Sequence, residues 1–391
     1  MSRPIVGVAL ALAALCLPVA APAADLTLPP FVSAYQPRTA AERGIWMQAD
    51  EDERQLRDSH LLIDDATLNA FVRHVLCRTV GEERCHAVRL YVLRVPAMNA
   101  ITSPSGGISV WSGLLLRLRD EAELGAVLGH EFAHFEQRHT LALEHRRLGA
   151  ADLVAWTALF AGGAAPLVKL ITTASTYSFS RAQESEADSL GLRFVAAAGY
   201  DPSHVAGVWT RQMDEADARA AGRKQRSRRY DGVSLLSTHP TDLQRMTALR
   251  AAAATLPAGG VTEAAAYAAA LRPWRAAFLA DQIKLNDFGG TDYLLGQLAQ
   301  DGWSEELLFA RAELYRQRGN PRDLVVAADF YRQALALDQR HAESHRGLGM
   351  ALLRGGESEE GRAELRRYLE LAPAAGDAAM VRALVSERIT R

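Results

Sequence analysis

The sequence predicts an α+β fold that is mostly helical, with a small sheet in its first half and an α-helical repeat unit in its second. Residues 87–95 and 107–112 alternate apolar and polar side chains as strands do. Apolar residues recur at helical spacing through most of the remaining chain. Near the carboxyl end, similar segments recur at an offset of 34 residues, from Ala334 to Tyr368, which indicates an internal repeat.

Length and composition predict two to three ordinary globular domains. The chain has 391 residues, and a domain commonly takes roughly 150. Apolar residues make up 49% and charged residues 23%, which is unlike a disordered chain or a multispanning membrane protein. Lys and Arg total 44 against 46 for Asp and Glu, a net charge of -2, so nucleic acid is not an expected partner.

The first 24 residues have the composition of a secretory signal peptide. One early cation, Arg3, precedes an apolar stretch over residues 5–19 and then small residues that suit cleavage. An uncleaved membrane anchor is the alternative, but Pro18 and Pro22 interrupt the run before the ~20 residues that a span needs. We therefore assign residues 1–24 to a signal peptide and expect export.

The three cysteines are too few for a disulfide scaffold. A lipoprotein cleavage site at Cys16 is disfavoured, because Leu15 stands where such sites carry a small side chain. Cys77 and Cys85 lie eight residues apart around Gly81, so a disulfide and a pair of free thiols are both compatible with the sequence. The sequence leaves that choice open.

The segment before the candidate site predicts a small sheet. Residues 25–60 form an N-terminal arm that leads into a first helix, and no function is assigned to it. Residues 61–77 have helical periodicity, and residues 87–95 follow as a strand. A β-hairpin is expected over residues 98–113, because turn residues at 103–107 precede a second alternating segment.

A histidine pair marks the next helix as a candidate metal site. Asp120 opens this helix with Glu123 three positions on, a pattern typical of a capping box. His130 and His134 are one helical turn apart, so both imidazoles face one side and can reach the same cation. Glu131 projects alongside, toward a water on that cation. Two imidazoles leave a zinc site in need of a third ligand, whereas two surface histidines are the structural alternative.

An acidic pair farther along the chain can complete such a site. Glu184 and Asp188 lie one turn apart on the same face of a predicted helix that Gly199 closes. Glu184 can supply an oxygen ligand, and Asp188 can accept the second ring N–H of a ligating histidine and so fix its tautomer. The alternative is that Glu184, Glu186 and Asp188 form a solvated helix face.

These motifs together resemble the M48 family of zinc metallopeptidases. The resemblance rests on the stretches HEFAH at 130–134, ESEAD at 184–188, MNA at 98–100 and STHP at 237–240. It spans about residues 60–255 and implies a zincin-like metalloprotease domain over residues 61–255 that holds one Zn²⁺ per chain. The metal ligands that it implies are His130, His134 and Glu184.

The resemblance also implies the catalytic roles. Glu131 would take a proton from the attacking water and pass it to the leaving amine, while Asp188 is the outer carboxylate. A further donor should stabilise the developing oxyanion, and His239 and Arg245 are the candidates. In relatives the loop around His239 lies near the metal, so His239 is alternatively expected to occupy the open coordination position and hold the enzyme inactive. The structural alternative is a loop residue before a helix that Pro240 opens.

The expected substrate is protein. If the strand at 107–112 forms one rim of the cleft, its free backbone edge can receive an extended peptide, which favours broad sequence specificity. The basic segment at 217–232 is interpreted as a solvated loop. Residues 153–168 are uncharged but short and interrupted by proline and glycine, so we expect a buried helical pair or a flap, with peripheral membrane contact as the alternative.

Residues 304–391 carry the internal repeat. The tetratricopeptide pattern matches at Leu348, Gly349, Gly356, Leu365 and Pro373, which predicts repeats over 305–341 and 342–375 and a cap over 376–390. Because about three extra residues follow Gly319, a longer turn is expected between the two helices of the first repeat. Residues 256–303 should add linking helices, since two repeats alone bury little area. Such hairpins bind peptides or partner proteins on a concave face.

We therefore predict an exported zinc-dependent endopeptidase located in the periplasm. The family resemblance, the export signal and the repeats together imply substrates that are misfolded or stalled envelope proteins, as in outer-membrane protein quality control. The repeats are expected to dock on the envelope assembly machinery. The alternative is a periplasmic chaperone or adaptor that acts through its repeats and has latent protease activity.

Overall fold

The computed structural model describes residues 28–149, 179–229 and 242–386. In these ranges helices dominate and one three-stranded sheet is present, so the predicted α+β, mostly helical class is confirmed. Three predictions lie outside the described residues: the signal peptide at 1–24, the uncharged segment at 153–168 and the loop that carries His239. Among the helices that the structure describes, none combines the length and the apolar character needed to cross a membrane.

The N-terminal arm packs against the first half of the chain. Its helix is α1 (Ala40–Arg57). On the N-terminal side of this helix, Phe31 packs against Phe132, with ring centroids 6.2 Å apart. Glu53 accepts two hydrogen bonds of 2.6 Å from the guanidinium of Arg89, which ties α1 to the first strand of the sheet.

The sheet contains β1 (Arg89–Leu93), β2 (Ala100–Thr102) and β3 (Gly107–Trp111) in the order β1, β3, β2. Strands β2 and β3 form the predicted antiparallel hairpin, whereas β1 pairs with β3 in parallel, with Arg89 opposite Gly107. The expectation that the strand at 107–112 offers a free edge is therefore wrong, because β3 is bonded on both sides. Among the described residues the free edge on this side of the sheet belongs to β2.

A disulfide joins two helices next to the sheet. Helix α2 (Ala66–Val80) and the short helix α3 (Glu82–Cys85) are linked by Cys77 and Cys85. Gly81 stands between the helices with a φ of 89°, a backbone conformation that glycine adopts without strain. The choice that the sequence leaves open is thus settled in favour of the disulfide.

Two later helices, which carry the candidate ligands, touch at a pair of glycines. They are α5 (Glu121–Glu136) and α7 (Arg181–Ala197). A Cβ added to Gly129 would lie 3.3 Å from the Cα of Gly191, and one added to Gly191 would lie 3.0 Å from the backbone nitrogen of His130. The absence of both Cβ atoms therefore allows the two backbones to approach directly.

The remaining helices of the first half are α4 (Ser112–Leu115), α6 (His139–Gly149), α8 (Val205–Gly222) and α9 (Asp242–Ala253). Helix α8 contains residues 217–222, so the first part of the basic segment is helical and not a loop. Residues 223–228, which follow α8, are exposed. The expected solvated loop therefore begins at Arg223.

The hydrophobic core continues past the predicted domain boundary into the linking helices α10 (Ala264–Ile283) and α11 (Phe288–Leu298). Tyr267 and Phe278 of α10 are buried in the same cluster as core residues of α2, β3 and α5. The Tyr267 hydroxyl donates a hydrogen bond of 2.6 Å to the backbone carbonyl of Leu115. The linking helices are therefore part of the core of the first half and do not merely connect two units.

The last part of the described chain consists of two helical hairpins and a final helix. Their helices are α12 (Glu305–Arg318), α13 (Pro321–Leu337), α14 (Ala342–Gly355), α15 (Ser358–Leu371) and α16 (Ala378–Ser386). The longer turn expected after Gly319 is wrong, because α12 and α13 are separated by Gly319 and Asn320 alone. The extra residues instead lengthen α13 to 17 residues, against 14 for α15. The identification of these hairpins as tetratricopeptide repeats stays a prediction.

Candidate metal centre

Three candidate ligands converge on one point between α5 and α7. The Nε2 atoms of His130 and His134 are 3.0 Å apart. One carboxylate oxygen of Glu184 lies 3.8 Å from the first of these nitrogens, and the other oxygen lies 3.9 Å from the second. All donor atoms of this cluster lie within 4.8 Å of one another, which is close enough to meet at a single ion.

This donor set fits zinc. Zn²⁺ bonds of about 2.1 Å in tetrahedral geometry place neighbouring donors about 3.4 Å apart. The observed separations of 3.0, 3.8 and 3.9 Å scatter around that value. Two neutral imidazoles and one carboxylate are also the ligand chemistry of catalytic zinc sites, which keep a fourth position open. The three residues that would hold the ion are therefore His130, His134 and Glu184.

The local sequence explains why these ligands meet. Helix α5 begins at Asp120, whose carboxylate accepts the Glu123 backbone N–H at 2.8 Å, and it continues unbroken through both histidines. Helix α7 begins at Ser180 with a capping box completed by Gln183, which places Glu184 in the first helical turn. The glycine contact between the two helices then brings this turn against the histidine pair.

Asp188 contacts the first candidate histidine ligand. Its Oδ1 lies 2.9 Å from Nδ1 of His130, the ring nitrogen opposite the one in the ligand cluster. Arg245 donates hydrogen bonds of 2.9 and 2.6 Å to the two oxygens of Asp188. Although burial alone would raise it, the hydrogen bonds from His130 and Arg245 hold the pKa of Asp188 well below its usual range. Asp188 therefore stays ionised and favours the His130 tautomer that can ligate through Nε2.

Arg245 lies on the cleft wall and contacts two acidic residues of the site. Two of its nitrogens donate to Asp188, and the third lies 3.5 Å from an oxygen of Glu184. The guanidinium also lies over the ring of Trp209, 3.8 Å from the ring centroid. These contacts make Arg245 the residue that holds Asp188, and its predicted role as an oxyanion donor stays a prediction.

Glu131 lines the cleft beside the ligands. The Thr102 hydroxyl of β2 donates a hydrogen bond of 3.0 Å to the backbone carbonyl of Glu131, which connects α5 to the edge of the sheet. Burial raises the pKa of Glu131 to about 7; the Glu184 carboxylate adds to this effect and His130 opposes it. A cation bound close by would lower that pKa again. A carboxylate beside the metal ligands is placed to accept and return a proton.

Sequence reasoning misses a contact of the second histidine ligand. His139, at the start of α6, places its Nδ1 3.0 Å from Nδ1 of His134, and its Nε2 lies 3.2 Å from Glu186. Phe179 stacks on the His134 ring with centroids 3.9 Å apart. Burial lowers the pKa of His139, although Glu186 opposes this shift. The signal in the sequence was a third histidine in HEFAHFEQRH, whose partner lies 47 residues away.

A cleft of about 370 Å³ gathers the predicted site residues that the structure describes. Those on its wall are His130, Glu131, His134, Glu184, Asp188 and Arg245. Residues 98–102 of the hairpin and Trp209 of α8 contribute to the remaining wall. His239 lies outside the described residues, so both of its predicted roles stay predictions.

The site defines a class of protein. Two histidines a turn apart on one helix, a glutamate next to the first and a carboxylate ligand from a second helix are the parts of a metallopeptidase centre. Residues 63–253 match Peptidase family M48. The chain therefore carries an M48 peptidase domain, and the resemblance noted from the motifs is confirmed.

Curated relatives agree with this assignment. The beta-barrel assembly-enhancing protease of Escherichia coli strain K12 is 27% identical over 212 residues, which are 50% of this chain and 41% of the relative. The mitochondrial metalloendopeptidase OMA1 of Schizosaccharomyces pombe is 30% identical over 183 residues, which are 45% of this chain and 50% of the relative. A Vibrio cholerae protein whose name also refers to beta-barrel assembly enhancement is 27% identical over 261 residues, 63% of this chain and 52% of the relative. The chain thus spans about half the length of these relatives.

Proposed function

We propose that this protein is a zinc-dependent endopeptidase that hydrolyses peptide bonds of protein substrates. The observation that carries the proposal is the convergence of His130, His134 and Glu184 beside Glu131 on one cleft. The match to Peptidase family M48 and the relatives named as proteases and metalloendopeptidases support it.

The proposed chemistry divides between the ion and the side chains around it. Bound Zn²⁺ supplies Lewis acidity, which polarises a peptide carbonyl and makes a water molecule easier to deprotonate. Glu131 accepts the water proton and returns it to the leaving amine. Asp188 keeps the proton of His130 on Nδ1, so that Nε2 stays available as a ligand. Arg245 holds Asp188 in this position through two hydrogen bonds.

The free edge of β2 is the proposed site for the substrate backbone. On the β3 side, the Asn99 carbonyl accepts a backbone hydrogen bond of 3.1 Å from Trp111, and the Ser103 N–H donates one of 2.8 Å to the Gly107 carbonyl. Because backbone groups alternate along a strand, those of Ala100 and Thr102 face the outer side. An extended peptide can pair with them as an added strand, next to the Glu131 carbonyl that Thr102 contacts. Recognition of the backbone implies broad sequence specificity.

The setting of the reaction is proposed from the sequence and the relatives. The signal-like segment at 1–24 and the relatives named for beta-barrel assembly support a periplasmic enzyme that degrades misfolded or stalled envelope proteins. The hairpins formed by α12–α15 are proposed to be tetratricopeptide repeats that dock on the envelope assembly machinery.

His239 is proposed to lie near the metal, either as an oxyanion donor or as a ligand in the resting enzyme. Residues 153–168 are proposed to form a buried helical pair or a flap over the cleft, with peripheral membrane contact as the alternative.

Cleavage of casein by the purified chain tests the proposed activity. Removal of metal with a chelator should abolish cleavage, and added zinc should restore it. Glu131→Gln should still bind zinc but lose cleavage, because an amide oxygen is a poor proton acceptor. Cleavage that survives either treatment would contradict the proposal.

A second candidate function, a chaperone or adaptor, is favoured by the two helical hairpins at the end of the chain. In this case the hairpins bind client proteins and proteolysis is latent. Zinc binding without Glu131-dependent cleavage, together with suppression of the aggregation of an unfolded client, would favour this function over the first.

A further inference from the structure

The two histidine ligands have different outer partners. On one side, Nδ1 of His130 contacts Asp188, which Arg245 holds in place. On the other side, Nδ1 of His134 contacts a second imidazole, that of His139. The role of Asp188 follows from the proposed zinc site. The proposed chemistry does not explain the contact of His139 with His134.

Proton counting fixes the direction of the contact behind His134. A neutral histidine that ligates through Nε2 carries its proton on Nδ1. For His134 this nitrogen lies 3.0 Å from Nδ1 of His139. Because two ring nitrogens at this distance share one proton, His139 accepts there and carries its own proton on Nε2. That nitrogen lies 3.2 Å from a carboxylate oxygen of Glu186, which can accept the proton's hydrogen bond.

We propose that His139 and Glu186 are positioning residues that hold His134 in the tautomer and orientation needed to ligate zinc. The inference rests on the proposed zinc-dependent function. The hydrogen bonds run in one direction, from His134 to His139 and from His139 to Glu186. Each ligating imidazole then has an outer acceptor on its Nδ1, supplied by Asp188 for one and by His139 for the other.

Packing around the second imidazole supports a positioning role. His134 is 1% exposed and His139 is 5% exposed, so neither ring nitrogen in their contact can exchange its partner for bulk water. Phe179 stacks on His134 with an interplanar angle of 19°, which limits rotation of the imidazole about its Cβ–Cγ bond. Glu186, in contrast, has a side chain that is 52% exposed. The chain of hydrogen bonds thus runs from the buried ligand to the surface.

Zinc affinity of the full chain, measured by competition with a chromogenic chelator, tests the inference without reference to proteolysis. His139→Leu removes the acceptor for His134 and should weaken zinc binding by about 10- to 100-fold. His139→Asn offers a side-chain carbonyl oxygen as a substitute acceptor and should recover most of this loss. A role in packing alone predicts the opposite order, because leucine fills an apolar site better than asparagine does.

Two further variants complete the experiment. His345→Leu is the matched control, since His345 of α14 is also buried and also contacts a carboxylate, that of Glu364, but lies outside the cleft. It should leave zinc affinity unchanged. Glu186→Ala changes an exposed side chain, so it should fold even if the His139 variants do not, and it should weaken zinc binding several-fold.

The outcomes separate this inference from the function on which it rests. If the wild-type chain binds no zinc, the proposed function fails and the inference with it. If wild type binds zinc, an affinity for His139→Leu or Glu186→Ala equal to that of wild type overturns the inference alone. A tighter zinc complex for His139→Leu than for His139→Asn also overturns it, because packing and not the hydrogen bond would then be the determinant.

Discussion

The candidate metal cleft and the first helical hairpin each hold a partly buried carboxylate, but Glu131 lines the cleft whereas Glu313 is paired with a cation. In the first hairpin, Glu313 accepts a hydrogen bond of 2.9 Å from Arg316 and also contacts Tyr331. Burial alone would raise the pKa of Glu313, but the pairing with Arg316 lowers it. In the cleft, burial raises the pKa of Glu131 to about 7. The Arg316 cation stabilises the ionised form of Glu313 within the hairpin, whereas Glu131 faces a cavity in which it can meet a substrate.

Replacing Glu131 by glutamine should have the largest effect, and the same replacement at Glu313 is described below for comparison. Glu131→Gln should lower casein cleavage by about 100- to 10,000-fold, because it removes the proposed general base. Zinc content and the free energy of unfolding of the hairpins should stay those of wild type. The measurement is the initial rate of cleavage with metal analysis of the same sample. A fall of less than about tenfold would mean that Glu131 does not carry the proton.

Substitution of Arg245 tests whether its hydrogen bonds to Asp188 affect metal binding. Arg245→Leu removes both hydrogen bonds to Asp188 and should weaken zinc binding by about 10- to 100-fold. Arg245→Lys keeps the charge but not the paired geometry and should recover part of the loss. Competition with a chelator measures both variants. If Arg245→Leu binds zinc as tightly as wild type does, the hydrogen bonds from Arg245 to Asp188 do not contribute to zinc binding.

Glu313 provides the counterpart in the hairpins. Glu313→Gln leaves Arg316 and Tyr331 with a weaker acceptor and should lower the free energy of unfolding by about 1–3 kcal/mol. Casein cleavage and zinc affinity should not change. Urea unfolding and the cleavage assay, run in parallel, check both statements. A loss of zinc affinity would break the division between the two regions.

A last effect, of the same size as that of Glu313→Gln, concerns packing between the hairpins. A Cβ at Gly347 would overlap the ring of Tyr331, so Gly347→Ala should cost about 1–3 kcal/mol of unfolding free energy. Gly355→Ala in the same helix is the matched control, because nothing lies within 4 Å of its added Cβ. It should be stabilised by about 0.5–1 kcal/mol, since alanine is the better helix former. Thermal unfolding compares the two, and an equal response would contradict the close contact at Gly347.

Local patterns in the sequence predicted the parts of the site that depend on one helix. The i, i+4 spacing placed His130 and His134 on one face of α5. The same spacing placed the acidic residues Glu184 and Asp188 on one face of α7. The β2–β3 hairpin was likewise predicted from its turn residues. Periodicity and turn chemistry act over a few residues, and this is the range over which a sequence alone is informative.

Contacts between distant segments account for what the sequence did not predict. The parallel pairing of β1 with β3 moved the free edge to β2, and no local pattern indicates which strands pair in parallel. The partner of His139 is Glu186, which the sequence showed only as part of an acidic face. Arg245 belonged to the predicted cleft, but its attachment to Asp188 depends on how α9 packs beside α7. The extra residues after Gly319 extended a helix because Pro321 suits the first helical turn.

X-ray absorption at the zinc K-edge of the wild-type chain tests the central claim most directly, that His130, His134 and Glu184 bind one ion. We predict one zinc per chain with imidazole nitrogen and carboxylate oxygen in its ligand set, and loss of the carboxylate contribution in Glu184→Ala. A chain that retains no zinc, or an unchanged spectrum in Glu184→Ala, would contradict it.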